Sequence, residues 1–171
     1  RKKIGIIGYG RIGRNIEKFS KSFGAKVKAF DPNVSIKKNK IIHRNLNKIL
    51  NESDIIVLCI SLNKNNINFA DKIFFKQLKR NCILINTSRG EAVNETELIK
   101  ALKTKKVKYA ATDVVRDEQN LSIKKNKLIE YSKKHNNLLI TPHIAGLTID
   151  SERKAAEISI NNLINFFDDK K

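Results

Sequence analysis

The chain has 171 residues, enough for one large domain with a sizeable core, or for a domain and a fragment. It has neither a leader-like start nor an apolar run of the roughly 18 residues that a membrane span needs, so a soluble, cytoplasmic protein without a membrane partner is expected. Thirty-five basic residues against 17 acidic ones give a net charge of +18.

Such a charge raises the possibility of a nucleic-acid partner. However, 27 of the basic residues are Lys, they are scattered, and Asn is also abundant at 20 residues. No basic-aromatic interleaving of the kind that stacks bases is present. No nucleic-acid role is expected, although the charge would steer anionic cofactors and substrates toward the protein. Cys59 and Cys82 each lie inside an apolar run, as reduced core residues do. With two Cys and three His so placed, no metal site is expected.

The first element is the apolar strand Ile4-Gly5-Ile6-Ile7. It runs into Gly8-Tyr9-Gly10-Arg11-Ile12-Gly13, a GxGxxG, and then into a helical pattern at Ile12, Ile16, Phe19 and Phe23. A second strand, Lys26 to Phe30, ends at Asp31. This order of strand, glycine turn, helix, strand and acid has a physical logic. Gly8 permits the tight turn, Gly10 lets the backbone approach a pyrophosphate, and Gly13 lets helix and strand pack closely. The helix N-terminus offers unpaired N–H groups and the positive end of its dipole to the phosphates. Asp31 lies 18 residues past Gly13, where its carboxylate would accept the ribose hydroxyls. A 2′-phosphate would be repelled there, and no Arg follows in Pro32-Asn33-Val34, so NAD is expected over NADP.

Beyond a polar, Lys-rich loop, a short strand is predicted near Ile41-Ile42 and a helix over Asn45 to Asn51. The apolar run Ile55 to Ile60 fits a parallel strand buried on both faces. A polar loop over Asn63 to Asn68 precedes a helix over Phe69 to Leu78. Cys82 to Asn86 is the next strand, ending in Thr87-Ser88-Arg89-Gly90. Asn94 is the expected cap of a further helix, with Glu97 reaching back. Val107 to Val114 is a strand carrying Asp113. Asn120 to His135 reads as a loop with a short helix over Lys127 to Lys134. The last strand, Leu138 to Thr141, stops at Pro142-His143, and a helix runs from Asp150 to about Phe167.

Alternating strands and helices call for an α/β fold: a Rossmann-type, three-layer, doubly wound parallel sheet. Ligands bind such sheets beyond the carboxyl ends of the strands. Gly8 to Gly13, Asp31, Thr87 to Gly90, Asp113 and His143 all fall at that edge.

Four stretches together carry a family resemblance. They are Gly8 to Arg14, Ile85 to Gly90, Ala111 to Val114, and Thr141-Pro142-His143-Ile144-Ala145-Gly146. In this order and spacing the chain resembles the NAD-binding domain of the D-isomer-specific 2-hydroxyacid dehydrogenases, the family that includes D-3-phosphoglycerate dehydrogenase. The resemblance runs from about Lys3 to Phe167 and implies roles. Arg89 would orient the substrate carboxylate and polarise the adjacent carbonyl. His143 would be the proton donor and acceptor. Glu118 would partner it and favour the protonated imidazole. Asp113 would contact the nicotinamide carboxamide. Arg11 and Ile12 would face the pyrophosphate, Thr87 and Ser88 would line the nicotinamide side, and Gly146 would belong to the same cofactor shell. The implied reaction is reversible hydride transfer between NAD and a D-2-hydroxy acid.

The chain departs from the family pattern around Val114-Val115-Arg116-Asp117-Glu118-Gln119, at Ser61 where the family has Pro, and at Leu147. The family also has a substrate domain ahead of this region. The chain opens at Arg1, so a piece of a longer protein with half an active-site cleft is expected, binding NAD but turning over poorly. A homodimer through the coenzyme domain is expected. The alternative is an NAD-sensing, co-repressor-like module of the same fold without catalysis.

Overall fold

The computed structural model describes residues 1–35, 40–120, 123 and 126–168. Parts of the Lys-rich loop after Asp31 and of the loop after Asn120 lie outside the described residues. The chain divides into two units, residues 1–141 and 142–171.

In the first unit six strands form one parallel sheet: β1 (Lys3–Ile7), β2 (Lys26–Phe30), β3 (Ile55–Leu58), β4 (Cys82–Asn86), β5 (Val107–Thr112) and β6 (Leu138–Ile140). Their order is β2-β1-β3-β4-β5-β6. The chain leaves β1 for β2 on one side and returns to the other side for β3. This reversal leaves a crevice at the carboxyl ends of β1 and β3. Between the strands lie α1 (Arg11–Ser22), α2 (Leu46–Glu52), α3 (Lys72–Gln77), α4 (Glu95–Lys103) and α5 (Lys127–Ser132).

The two-residue alternation of each strand divides the core between the faces. Ile7, Leu58, Leu84, Ala110 and Leu138 pack with Ile49, Phe74, Phe75, Leu98, Leu102 and Leu128 from α2 to α5. On the opposite face Ile6, Val27 and Ala29 pack with Tyr9 and Ile42, and Ile16 of α1 joins them. The register aligns Ile6, Val57, Ile85, Ala111 and Leu139 in one row across β1, β3, β4, β5 and β6. Burial falls along that row, from 0% exposure at Ile6 and 5% at Val57 to 62% at Leu139.

Four differences from the sequence expectations have local causes. The strand near Ile41-Ile42 is a single bridge from Ile42 to Ala29, because one residue of β2 is all that it pairs with. The helix expected from Phe69 starts at Lys72: the Asp71 carboxylate caps it, accepting from the Phe74 N–H at 2.9 Å. Asn94 caps α4 as expected, accepting from the Glu97 N–H at 3.1 Å. However, Glu97 does not reach back. Its carboxylate pairs with Lys100 at 2.7 Å, and the Asn94 N–H donates to Ala70 O at 3.0 Å. Finally, β5 ends at Thr112, two residues before Val114.

The second unit holds α6 (Ile149–Asp168). Thr148 and Ser151 cap it reciprocally: each backbone N–H donates to the other's hydroxyl, at 3.0 and 3.1 Å. Among the described residues no helix is long and apolar enough to cross a membrane.

Candidate active site at the carboxyl edge of the sheet

The glycine turn after β1 is set by sterics. Gly8 has φ +91°, and a Cβ there would sit 2.6 Å from the Cys59 carbonyl oxygen. A Cβ on Gly13 would stand 2.3 Å from the Gly8 oxygen, so α1 rests directly on the turn. A Cβ on Gly10 would meet nothing within 4 Å. Gly10 is therefore not needed for the fold; its bareness leaves room beside the backbone. No side chain caps α1, so the N–H groups of its first turn, at Arg11, Ile12 and Gly13, have no intrahelical acceptor.

Asp31 follows β2. Its carboxylate accepts from the Tyr9 N–H at 2.8 Å and from the Asn33 N–H at 2.9 Å. The acid is thus tied to the glycine turn itself, with lone pairs left over for a ligand. The Tyr9 ring is buried, its hydroxyl bonds Glu17, and the Arg14 guanidinium lies 5.6 Å from its centroid. Beside these groups a cavity of about 480 Å³ opens between the ends of β1, β2 and β3. Gly8, Gly10 and Asp31 line it on one side, and Ser61, Asn63 and Asn66 on the other. These polar groups, the open face of Gly10 and the uncapped helix end fit a dinucleotide.

Three strands away from β2, at the end of β4, Asn86 builds a second turn. Its buried side chain accepts from the Ser88 N–H at 3.0 Å and the Ser88 hydroxyl at 2.6 Å, and donates to Arg89 O at 3.2 Å. Thr87 is held by its N–H to Leu58 O at 3.4 Å. Arg89 is exposed at the tip, one guanidinium N–H donating to Ser88 O at 2.7 Å. Gly90 then passes so close to the next loop that a Cβ would lie 2.1 Å from the Val115 carbonyl carbon.

That contact clamps the Arg89 turn against the loop carrying Glu118. Glu118 is half-buried, and its carboxylate accepts from the Val115 N–H at 3.3 Å. Asp113 is buried at the end of β5. Its N–H donates to Asn86 O at 3.0 Å, and its carboxylate accepts from the Thr141 hydroxyl. Arg116, unassigned from sequence, donates its N–H to the Glu95 carboxylate at 2.8 Å, and its guanidinium bonds Asn68 and the Glu91 carbonyl. Asn126 donates to Glu95 at 2.9 Å. Burial pushes the Glu95 carboxyl above its ordinary value, against the hydrogen bonds that lower it.

His143 and Gly146 belong to the second unit. His143 has φ +54°, in the left-handed region where a non-glycine residue is uncommon; Asp117, beside Glu118, has the same φ. Such backbone clusters at functional sites. Both thiols are raised by burial, Cys59 to about 11 and Cys82 to about 12, which suits inert core residues. Among the described residues no cluster of three metal-ligating side chains occurs.

The sequence expectations missed Asn86, Glu95 and Gly90 as organisers. Their signal is tertiary: each acts on a segment distant in the chain or through a buried side chain. Gly90, following Arg89 in a motif, was the one that could have been found.

A parallel sheet with its switch-point cavity behind a glycine turn defines a dinucleotide-binding domain. Residues 1–145 match the family described as "D-isomer specific 2-hydroxyacid dehydrogenase, NAD binding domain", and the chain belongs to that family. A hydroxypyruvate reductase from Blautia hydrogenotrophica is 34% identical over 96% of this chain and 50% of its own length. A glyoxylate reductase from Pyrococcus furiosus is 32% identical, over 96% of this chain and 48% of its own. Among solved structures, D-lactate dehydrogenase with NAD⁺ from Lactobacillus jensenii superposes with a TM-score of 0.86 at 32% identity. It covers 95% of this chain and 52% of that one. The chain thus spans about half the length of the relatives it matches. The cofactor of this domain is NAD.

Proposed function

We propose that this chain is the coenzyme half of an NAD-dependent dehydrogenase that interconverts a D-2-hydroxy acid and its 2-oxo acid. The observation that carries the reading is the Gly90 clamp, which ties the Arg89 turn to the Glu118 loop on the sheet edge that holds the dinucleotide cavity. NAD, when bound, accepts or gives the hydride at substrate C2; the protein supplies orientation and electrostatics. Arg89 holds the carboxylate and polarises the 2-oxo group with its planar fork. His143 takes the hydroxyl proton in oxidation and returns it in reduction, and Glu118 steadies its charged form. Arg11, Ile12 and Gly13 meet the pyrophosphate, Asp31 the adenosine ribose, Thr87, Ser88 and Asp113 the nicotinamide side, and Gly146 completes that shell. The protein works in the cytoplasm as a homodimer paired through this domain.

The test uses the full-length protein containing this chain. His143→Ala should lower kcat by about 10²–10⁴ while the NAD Kd stays within twofold. Unchanged turnover would remove the acid-base role, and no dehydrogenase activity in the parent would favour an NAD-sensing co-repressor instead. The 171-residue chain alone should bind NAD and turn over poorly.

A further inference from the structure

A second hollow, of about 630 Å³, lies at the opposite end of the sheet, where β4, β5 and β6 begin. Leu102 of α4 and Tyr131 of α5, both buried, form part of its wall, and Lys103, Lys105 and Lys108 line it as well. No Asp or Glu lines it.

The backbone is irregular where it shapes this hollow. Asn81 and Lys105 both have left-handed φ, +61° and +56°, and the Asn81 N–H donates to Lys105 O at 3.2 Å. Lysine has no side-chain bond of the Asn type to favour that conformation. In β5 the register slips by one residue: Cys82 opposes Val107, whereas Ile83 opposes Tyr109. The extra residue is Lys108. The slip exposes Lys108 and Tyr109 together, although neighbours on a regular strand point to opposite faces. The Lys108 ammonium lies 5.3 Å from the Tyr109 ring centroid. Behind it the wall is tied together by a ring stack and hydrogen bonds. The His135 ring stacks on Tyr131 at 4.0 Å, its Nδ1 lies 3.0 Å from Tyr131 O, and the Tyr131 hydroxyl donates to Asn137 at 3.1 Å.

Charge completes the picture. Residues 102–110 hold four lysines and no acid, and residues 131–137 hold two lysines, His135 and no acid. Among the described residues none of Lys103, Lys105 and Lys108 pairs with a carboxylate, whereas Lys79 and Lys100 nearby in sequence do. Like charges gathered in a concave wall focus a positive potential. We infer that this hollow binds a small multivalent anion, a phosphate ester or a polycarboxylate, at a site separate from the dinucleotide crevice. Lysines hold such groups as point charges. A nucleic-acid strand fits less well, because Tyr131 and His135 stack on each other rather than offering faces to bases, and the three lysines line one hollow.

Calorimetric titration of the 171-residue chain with sodium tripolyphosphate and, separately, citrate tests this, with and without saturating NAD. One saturable site for either anion is expected, with an affinity that NAD leaves within twofold. The stronger arm identifies the phosphate or the carboxylate class. Lys103→Gln/Lys108→Gln should weaken it at least tenfold with circular dichroism unchanged, and Lys18→Gln/Lys26→Gln, on α1 and β2, should not. Displacement of the anion by NAD, equal loss in both double variants, or no saturable binding of either anion would each overturn the inference.

Discussion

Gly10 and Gly13 sit three residues apart and should fail in different ways. A methyl on Gly13 would press on the Gly8 carbonyl oxygen, an atom of backbone that cannot swing aside. Gly13→Ala should therefore cost about 1–3 kcal/mol in urea unfolding, as overpacking does, and weaken NAD as well. A methyl on Gly10 meets open space. Gly10→Ala should leave the unfolding midpoint nearly unchanged and weaken NAD at least tenfold; undiminished NAD affinity would show that the pyrophosphate lies elsewhere. Asp31 makes a third test. It should favour NAD over NADP, and a titration that preferred the phosphate-bearing form would overturn that assignment. The tight turn at Gly8 and the close packing at Gly13 were legible in the sequence because they follow from local sterics. The Asn86 network was not, because a buried side chain that bonds its own turn resembles any strand-ending Asn until its burial is known.

At the scale of elements, Glu95 joins the start of α4 to the Arg116 backbone and to Asn126, the cap of α5. Glu95→Ala would leave those donors without their acceptor and should cost about 1–3 kcal/mol. The pH dependence has a definite sign. Burial raises the folded-state value above the unfolded one, so protonation favours the folded form. The stability that this carboxyl contributes is full below its unfolded value and is lost as pH rises through the folded one. Asp54 runs the other way. The Lys79 ammonium and the Lys3 N–H bond its carboxylate and lower it, so its contribution is present above the unfolded value and is lost on acidification. Unfolding of Glu95→Gln and Asp54→Asn between about pH 2 and 7, a range that extends to both sides of the ordinary carboxylate values near 4, should show opposite changes in slope. Strand and helix order was legible from periodicity. The strand near Ile42 shrank to one bridge with Ala29, a pairing that no local pattern reports.

Over the whole molecule, +18 charges on 171 residues repel one another. Screening should therefore stabilise the fold: the urea midpoint should rise between 20 and 200 mM salt, opposite to a protein held by surface ion pairs. The four salt bridges found among the described residues are too few to reverse it. The alternation of elements foretold a parallel sheet. It did not foretell that exposure rises along the row from Ile6 to Leu139, because periodicity marks a strand's two faces without saying how well each is covered.

The row from Ile6 to Leu139 has a practical outcome in the test tube. At low ionic strength mutual repulsion keeps the greasy end of that row, with Leu139 and nearby Tyr109, away from its twin on another molecule. Adding electrolyte tightens each molecule and at the same time removes that cushion, so light scattering should climb under the very conditions in which the melting point improves.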